Sequence, residues 1–299
     1  MRTGWDQGAT YVGFDAGPIG WTHAHQDKLN VTLWAYGRMI LMDPSQHNYS
    51  REPLAMWAMD SFSHNVAIVD GRPQRRRWRD PNPTQMPYQP RRDVRFVTTE
   101  GFDHAAGVYD EAWGMPGLSD AYPYYDDGNF YEGWVEPATH HRRVLFLKPN
   151  VVVVADLLTA RDGEMHQYEV RWQIDSTAIE RRADGVSLVT RDEGLPNLAI
   201  IPLIRDGLTV ETGSGQIEPE ILGWKLYGEP TPATTAMHRR SGGDVRFVTL
   251  LLPLRTGDDA PAVGAQWTDA ETVVVQLDGE TLTITVPDNP DHDLEAKRG

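Results

Sequence analysis

Val273-Val274-Val275-Gln276-Leu277-Asp278-Gly279-Glu280-Thr281-Leu282-Thr283-Ile284-Thr285-Val286 reads as two strand-forming runs joined through Asp-Gly. That dipeptide tolerates the positive backbone angles a tight hairpin turn needs, so the stretch predicts a β-hairpin. The same grammar recurs upstream. Arg143-Val144-Leu145-Phe146-Leu147 and Val151-Val152-Val153-Val154 flank Lys148-Pro149-Asn150 as a second hairpin. Between His166 and Ile174, Tyr168, Val170 and Trp172 alternate onto one face of a strand. Shorter β-rich runs lie at Tyr11-Val12-Gly13-Phe14, Asn30 to Trp34, Arg38 to Met42, Val66 to Val69, Leu198 to Ile204 and Val245 to Leu252. Helical spacing is confined to Pro53 to Phe62, through Leu54, Trp57, Ala58 and Phe62. Many short strands punctuated by Gly and Pro predict an all-β sandwich or barrel with at most one short helix.

A chain of 299 residues can bury a large core. The net charge of -15 argues against nucleic acid as a partner. No cysteine is present, which excludes disulfides and thiolate chemistry. No apolar run is long enough to span a membrane, and Met1 to Asp6 lacks the apolar segment of a signal peptide. Folded-looking sequence from the first residues leads us to expect a further domain upstream. Arg72 to Arg95, rich in Arg and Pro, and Gly107 to Trp134, rich in Tyr, Asp and Gly, read as long loops of the kind that carry function. The tail after Pro287 is polar and is expected to fray.

The chemistry is concentrated in Thr22-His23-Ala24-His25-Gln26-Asp27-Lys28-Leu29-Asn30, followed by Asp43 and by Ser63-His64-Asn65. Residues two apart on a strand face the same side, so His23 and His25 would point together. Asp43 follows an apolar run and His64 opens the next. If these runs are neighbours, two imidazoles and a carboxylate converge with a fourth position open, which suits zinc. A lone histidine at a strand end is more often a satisfied structural group; three such residues fit the metal inventory better. An H-x-H core occurs in cupins, but here Lys28 and Leu29 stand where a cupin places Glu. It also occurs in amidohydrolases, whose (β/α)₈ barrel needs helices this chain lacks.

Gly17 to Asn30, Ala35-Tyr36-Gly37-Arg38 with Leu41-Met42-Asp43-Pro44, and Ser63-His64-Asn65-Val66 with Val69-Asp70-Gly71 and Gln74 resemble the C-terminal domain of heparinase II/III-like polysaccharide lyases. Order and spacing agree over this whole region. The resemblance implies a large antiparallel β-sandwich over residues 1–299, with a smaller C-terminal β layer at about 245–287. It implies an N-terminal (α/α) toroid, absent from this chain, with the substrate cleft between the two. The implied reaction is β-elimination on an anionic uronate polysaccharide, heparan-like or alginate-like. His23 would face the cleft as a catalytic residue, with Tyr49 as a weaker contributor. His25, Asp43 and His64 would bind zinc. Arg75, Arg76, Arg77 and Arg79, beside Arg72, would bind substrate carboxylates or sulfates, since guanidinium forks match them. A bacterial protein, periplasmic or secreted at full length, and a dimeric assembly complete these expectations. Two alternatives stay open: a non-catalytic, zinc-stapled carbohydrate-binding module, and an unrelated zinc hydrolase on a β scaffold. Replacing His25 with Ala is expected to lower zinc content and thermal stability together; elemental analysis showing unchanged metal would sink the assignment.

Overall fold

The computed structural model describes residues 1–17, 25–44, 50, 52–76, 94–114 and 134–299. Among them antiparallel strands dominate, and the helical pieces are the short helix Pro53–Trp57 and the 3-10 turn Ser61–Ser63. Together these cover most of the one segment with helical spacing.

One sheet has seven strands. It runs Tyr11–Asp15, Asn30–Ala35, Arg38–Leu41, His166–Ile174, Thr234–Gly242 and Thr209–Gly213, with Ala67–Val69 also pairing onto His166–Ile174. The second sheet has eight strands. Its order is Ile179–Arg181, Leu188–Thr190, Asn197–Pro202, Val245–Leu254, Val151–Ala160, Ala138–Leu147, Phe102–Tyr109 and Arg95–Thr98. A third sheet of four strands runs Val263–Trp267, Thr272–Leu277, Glu280–Thr285 and Glu295–Arg298.

The eight-stranded sheet is the middle layer. Val144, Phe146, Val152, Val154, Leu198, Ile200 and Leu251 share a core with Val31, Leu33, Val170, Trp172 and Ile174 of the seven-stranded sheet. The alternate residues Leu145, Leu147, Val151, Val153, Leu250 and Leu252 pack on Val273, Val275, Leu282 and Ile284 of the third sheet. Burial on both faces explains why Val151 to Val154 is a continuous apolar run rather than an alternating one. The outer face of the seven-stranded sheet is also covered. Trp57, Ala58, Phe62 and Ile68 pack there with Ile221 and Leu226.

Two expectations change. The C-terminal layer begins at Val263 and ends at Arg298, because Val245–Leu254 belongs to the middle sheet. The tail after Pro287 is tied down. Arg143 donates to the carbonyls of Pro287 and His292, Arg95 pairs with Asp293 at 2.9 Å, and Glu295–Arg298 pairs with Glu280–Thr285. Polar composition concealed this because the anchors are backbone carbonyls and distant guanidiniums.

His166 sits between Asp70 (2.6 Å) and Asp162 (2.9 Å), one carboxylate at each ring nitrogen. Burial works against the imidazolium, but hydrogen bonds and charge from Asp162 and Asp70 prevail and raise its pKa above the ordinary 6.5. A raised folded pKa stabilises the fold fully below the unfolded value and ceases to do so as pH climbs through the folded one. His166→Gln should therefore cost stability at mildly acidic pH and little at alkaline pH. Denaturant unfolding at several pH values checks this, and a cost that grows with pH would contradict it.

Candidate functional site

The site forms where several strands of the seven-stranded sheet end. Residues 25–29 make a bend and turn that delivers the chain into the strand at Asn30. Leu29 adopts a positive φ of 71° there, uncommon for a branched residue, and its side chain is fully buried. Room for it comes from Gly107 on the middle sheet, where a Cβ would come within 2.8 Å of Leu29 and of Ala16. The strand Arg38–Leu41 ends two residues before Asp43, and the 3-10 turn Ser61–Ser63 delivers His64.

Asparagines and glutamines tie these segments together. Asn30 donates from Nδ2 to Asp43 Oδ2 at 2.7 Å and accepts at Oδ1 from the Asn65 backbone N–H at 2.9 Å. Asn65 donates to the Met42 carbonyl and accepts from the Gln173 backbone. Gln74 closes a two-way bond with the backbone of Lys28, and Gln26 accepts from the Arg76 N–H at 2.7 Å. From the middle sheet, Arg142 donates to the carbonyls of Leu29 (2.8 Å) and Asn65. Its guanidinium is held in turn by both oxygens of Asp156, at 2.6 and 3.2 Å, and His140 lies 2.6 Å from the same carboxylate.

His64 is fully buried, with Nδ1 3.0 Å from Asp43 Oδ2. Its Nε2 is buried without a hydrogen-bond partner. The His25 ring lies 5.2 Å from the His64 ring, centroid to centroid. One donor atom each from His25, Asp27 and His64 lies within 4.8 Å of the others. Burial opposes protonation of His64, but the charge and hydrogen bond of Asp43, with Asp27 and Asp60 behind it, raise its pKa to about 8. Burial also lifts the Asp27 carboxyl to about 6, helped by Asp15 and Asp43 and opposed by His64 and Arg76. Carboxylates crowding a buried imidazole attract either protons or a cation. An orphaned imidazole nitrogen beside a second imidazole and a carboxylate has the chemistry of a zinc site, so the residues fit the metal the sequence suggested.

The structure thus brings together His25, Asp43 and His64, and adds Asp27. His23, Tyr49, Arg77 and Arg79 lie outside the described residues. Arg75 and Arg76 do not form the exposed polyanion surface expected of them. Both are buried, Arg75 on Asp60 and Arg76 on Asp27, each at 3.1 Å. Arg76 also donates to the Gly17 carbonyl. Their cationic groups neutralise internal carboxylates that would otherwise be stranded in a poorly solvated site. Sequence reasoning also passed over Arg142 and Asp156. The signal was available: Arg142 shares strand parity with Val144 and Phe146, so a charge there faces inward.

Residues 3–266 match the family described as Heparinase II/III-like, C-terminal. The chain belongs to that family. Similar solved structures include heparan sulfate lyase HepC from Pedobacter heparinus, at 19% identity and TM-score 0.67, and heparinase III, at 14% and 0.66. In each case 96% of this chain covers 40% of the other, so it spans two-fifths of their length. At such identity the likeness speaks to the fold alone. No curated protein sequence matches the chain. No helix among the described residues is long and apolar enough to cross a membrane.

Because Arg142 links the family fold's middle layer to the site, its loss should be costly. Arg142→Met strips the buried Asp156 of its guanidinium and leaves it only His140, and should destabilise the protein by about 3–5 kcal/mol in denaturant unfolding. The double variant Arg142→Met/Asp156→Leu should recover much of that loss; equal losses in both would argue against an ion-pair origin.

Proposed function

We propose that this chain works as the C-terminal part of a polysaccharide lyase that cleaves uronic-acid-containing glycans by β-elimination. What supports the reading most is the gathering of His25, Asp27, Asp43 and His64 at one sheet end in a chain of the heparinase II/III-like family. The proposed substrate class is drawn from the likeness to heparan sulfate lyase.

In such a reaction a base removes the C5 proton α to the uronate carboxylate, an acid protonates the departing O4, and placed donors stabilise the growing negative charge. His23, two residues before His25, is our choice for the imidazole that exchanges a proton at the cleft. Such a role contributes roughly 10²–10⁴-fold in rate. Zinc, when bound, supplies a fixed positive charge that locks the loop. His25 and His64, with a nearby carboxylate, would hold it, and the Asn30–Asp43 and Asn65–Met42 hydrogen bonds would keep the loop's neighbours in place. Arg76 donates both to the Gly17 carbonyl and to the Asp27 carboxylate.

A second reading, an accessory carbohydrate-binding module stapled by zinc, draws support from the same depth of burial: His64 and Arg76 are engaged inside the fold. One assay separates the two. The protein, alone and joined to a toroid domain, is mixed with heparan sulfate or alginate, and unsaturated-uronate absorbance is followed. We expect absorbance to appear in the joined form and to fall at least about 100-fold in its His23→Ala variant. Binding of polymer without absorbance in either form would establish the module instead.

A further inference from the structure

The segments 53–62 and 217–221 cover the outer face of the seven-stranded sheet without closing over it. Between them lies a pocket of about 670 Å³, inside the range of roughly 300–1,000 Å³ usual for small-ligand sites. The first segment lends Met56, Trp57 and Phe62 to its lining, and the second lends Ile217, Pro219 and Ile221. The floor comes from the sheet. Tyr168, Val170 and Trp172 turn into the core, so Glu169 and Arg171 between them face outward into the pocket. Both are nonetheless buried. Glu169 accepts from Nε of Arg171 at one oxygen and from Nε of Arg239 at the other. Arg171 also donates to Glu220 and to the Phe62 carbonyl, and its guanidinium lies 4.7 Å from the Phe62 ring. This ionic chain is in place before any ligand arrives, so little side-chain freedom is lost on binding.

The lining narrows the class of ligand. Three carboxylates, Glu169, Glu218 and Glu220, stand against two guanidiniums, Arg171 and Arg239, and this excess of negative charge disfavours an anion. Glu169, the buried carboxylate, already has a guanidinium at each oxygen and is not free for a cation. A wholly apolar ligand would shut the ionic floor away from water without replacing its hydrogen bonds. Hydroxyl groups both donate and accept, so they can meet carboxylate and guanidinium alike. Arg239, partly exposed, uses only some of its N–H groups on Glu169, Glu211 and Met237 and keeps others for a ligand. Met56, Ile217 and Pro219 offer apolar surface to the C–H face of a sugar ring. We propose that this pocket binds a neutral saccharide. It lies on the face of the sheet, whereas His25 and His64 gather at its end, and the inference depends on neither the zinc site nor the lyase reading.

The test uses the full chain, titrated by calorimetry and saturation-transfer NMR with cellobiose, maltose and diacetylchitobiose, and with digalacturonate as the anionic counterpart. At least one neutral disaccharide should bind, and digalacturonate should bind about 10-fold more weakly or worse. Ile217, 45% exposed, tolerates replacement without disturbing the core. Ile217→Asp sets a carboxylate against the sugar's apolar face and should weaken neutral binding by about 10-fold or more. Glu218→Lys reverses the charge balance of the lining; it should admit digalacturonate and leave neutral binding little changed. Absence of binding by all three neutral disaccharides overturns the proposal. So does digalacturonate binding to the wild type as tightly as they do, or neutral binding that Ile217→Asp leaves intact. Gln167→Ala, at an exposed lining position, serves if Ile217→Asp misfolds by circular dichroism. It too should weaken neutral binding, and unchanged affinity would count against the pocket.

Discussion

The rest of the structure depends on one buried ion pair, Arg142 with Asp156. They are direct cross-strand partners in the hairpin of Ala138–Leu147 and Val151–Ala160. Toward the turn, Val144 to Leu147 and Val151 to Ala155 are apolar on both faces, so the hydrophobic pattern there would penalise a slipped register only weakly. The charges remove that ambiguity. A slip would separate guanidinium from carboxylate inside a buried layer, at an effective cost of several kcal/mol per ion. The pair therefore sets register in the middle sheet and orients the donors that reach the Leu29 and Asn65 carbonyls.

From that anchor the site follows by short steps. The Leu29 carbonyl lies next to Asn30, which holds Asp43; the Asn65 carbonyl lies next to His64. A rigid sheet on one side thus fixes two loops on the other, and the loops carry the imidazoles. Such sites gain precision from the scaffold rather than from loop stiffness. The same economy governs Arg75 and Arg76. Near a crowd of carboxylates, a buried guanidinium is worth more as an internal counterion than as a surface contact.

Much of the fold was legible in residue order. Val151 to Val154, the alternation of Tyr168, Val170 and Trp172, and the Asp278-Gly279 turn each announce strands, because local sterics and the period of two act on neighbours in sequence. Layer boundaries were less legible. Val245–Leu254 reads like any apolar strand, and only its pairing with Val151–Ala160 and Asn197–Pro202 assigns it to the middle sheet. The polar tail looked loose because its partners, Arg95 and Arg143, stand far away in sequence.

The sequence by itself determined the all-β class, the one segment with helical spacing and the histidines and carboxylates from which a site could be built. Those are consequences of local propensity, side-chain period and chemical inventory. Which of them meet, and through which atom, only the tertiary structure decided. That Asp43 faces His64 Nδ1, that Asp27 joins His25 on the same cluster, and that Arg76 turns inward are set by long-range packing. Distances between segments dozens of residues apart depend on sheet register and buried charge, and neither is written in any single stretch of the chain.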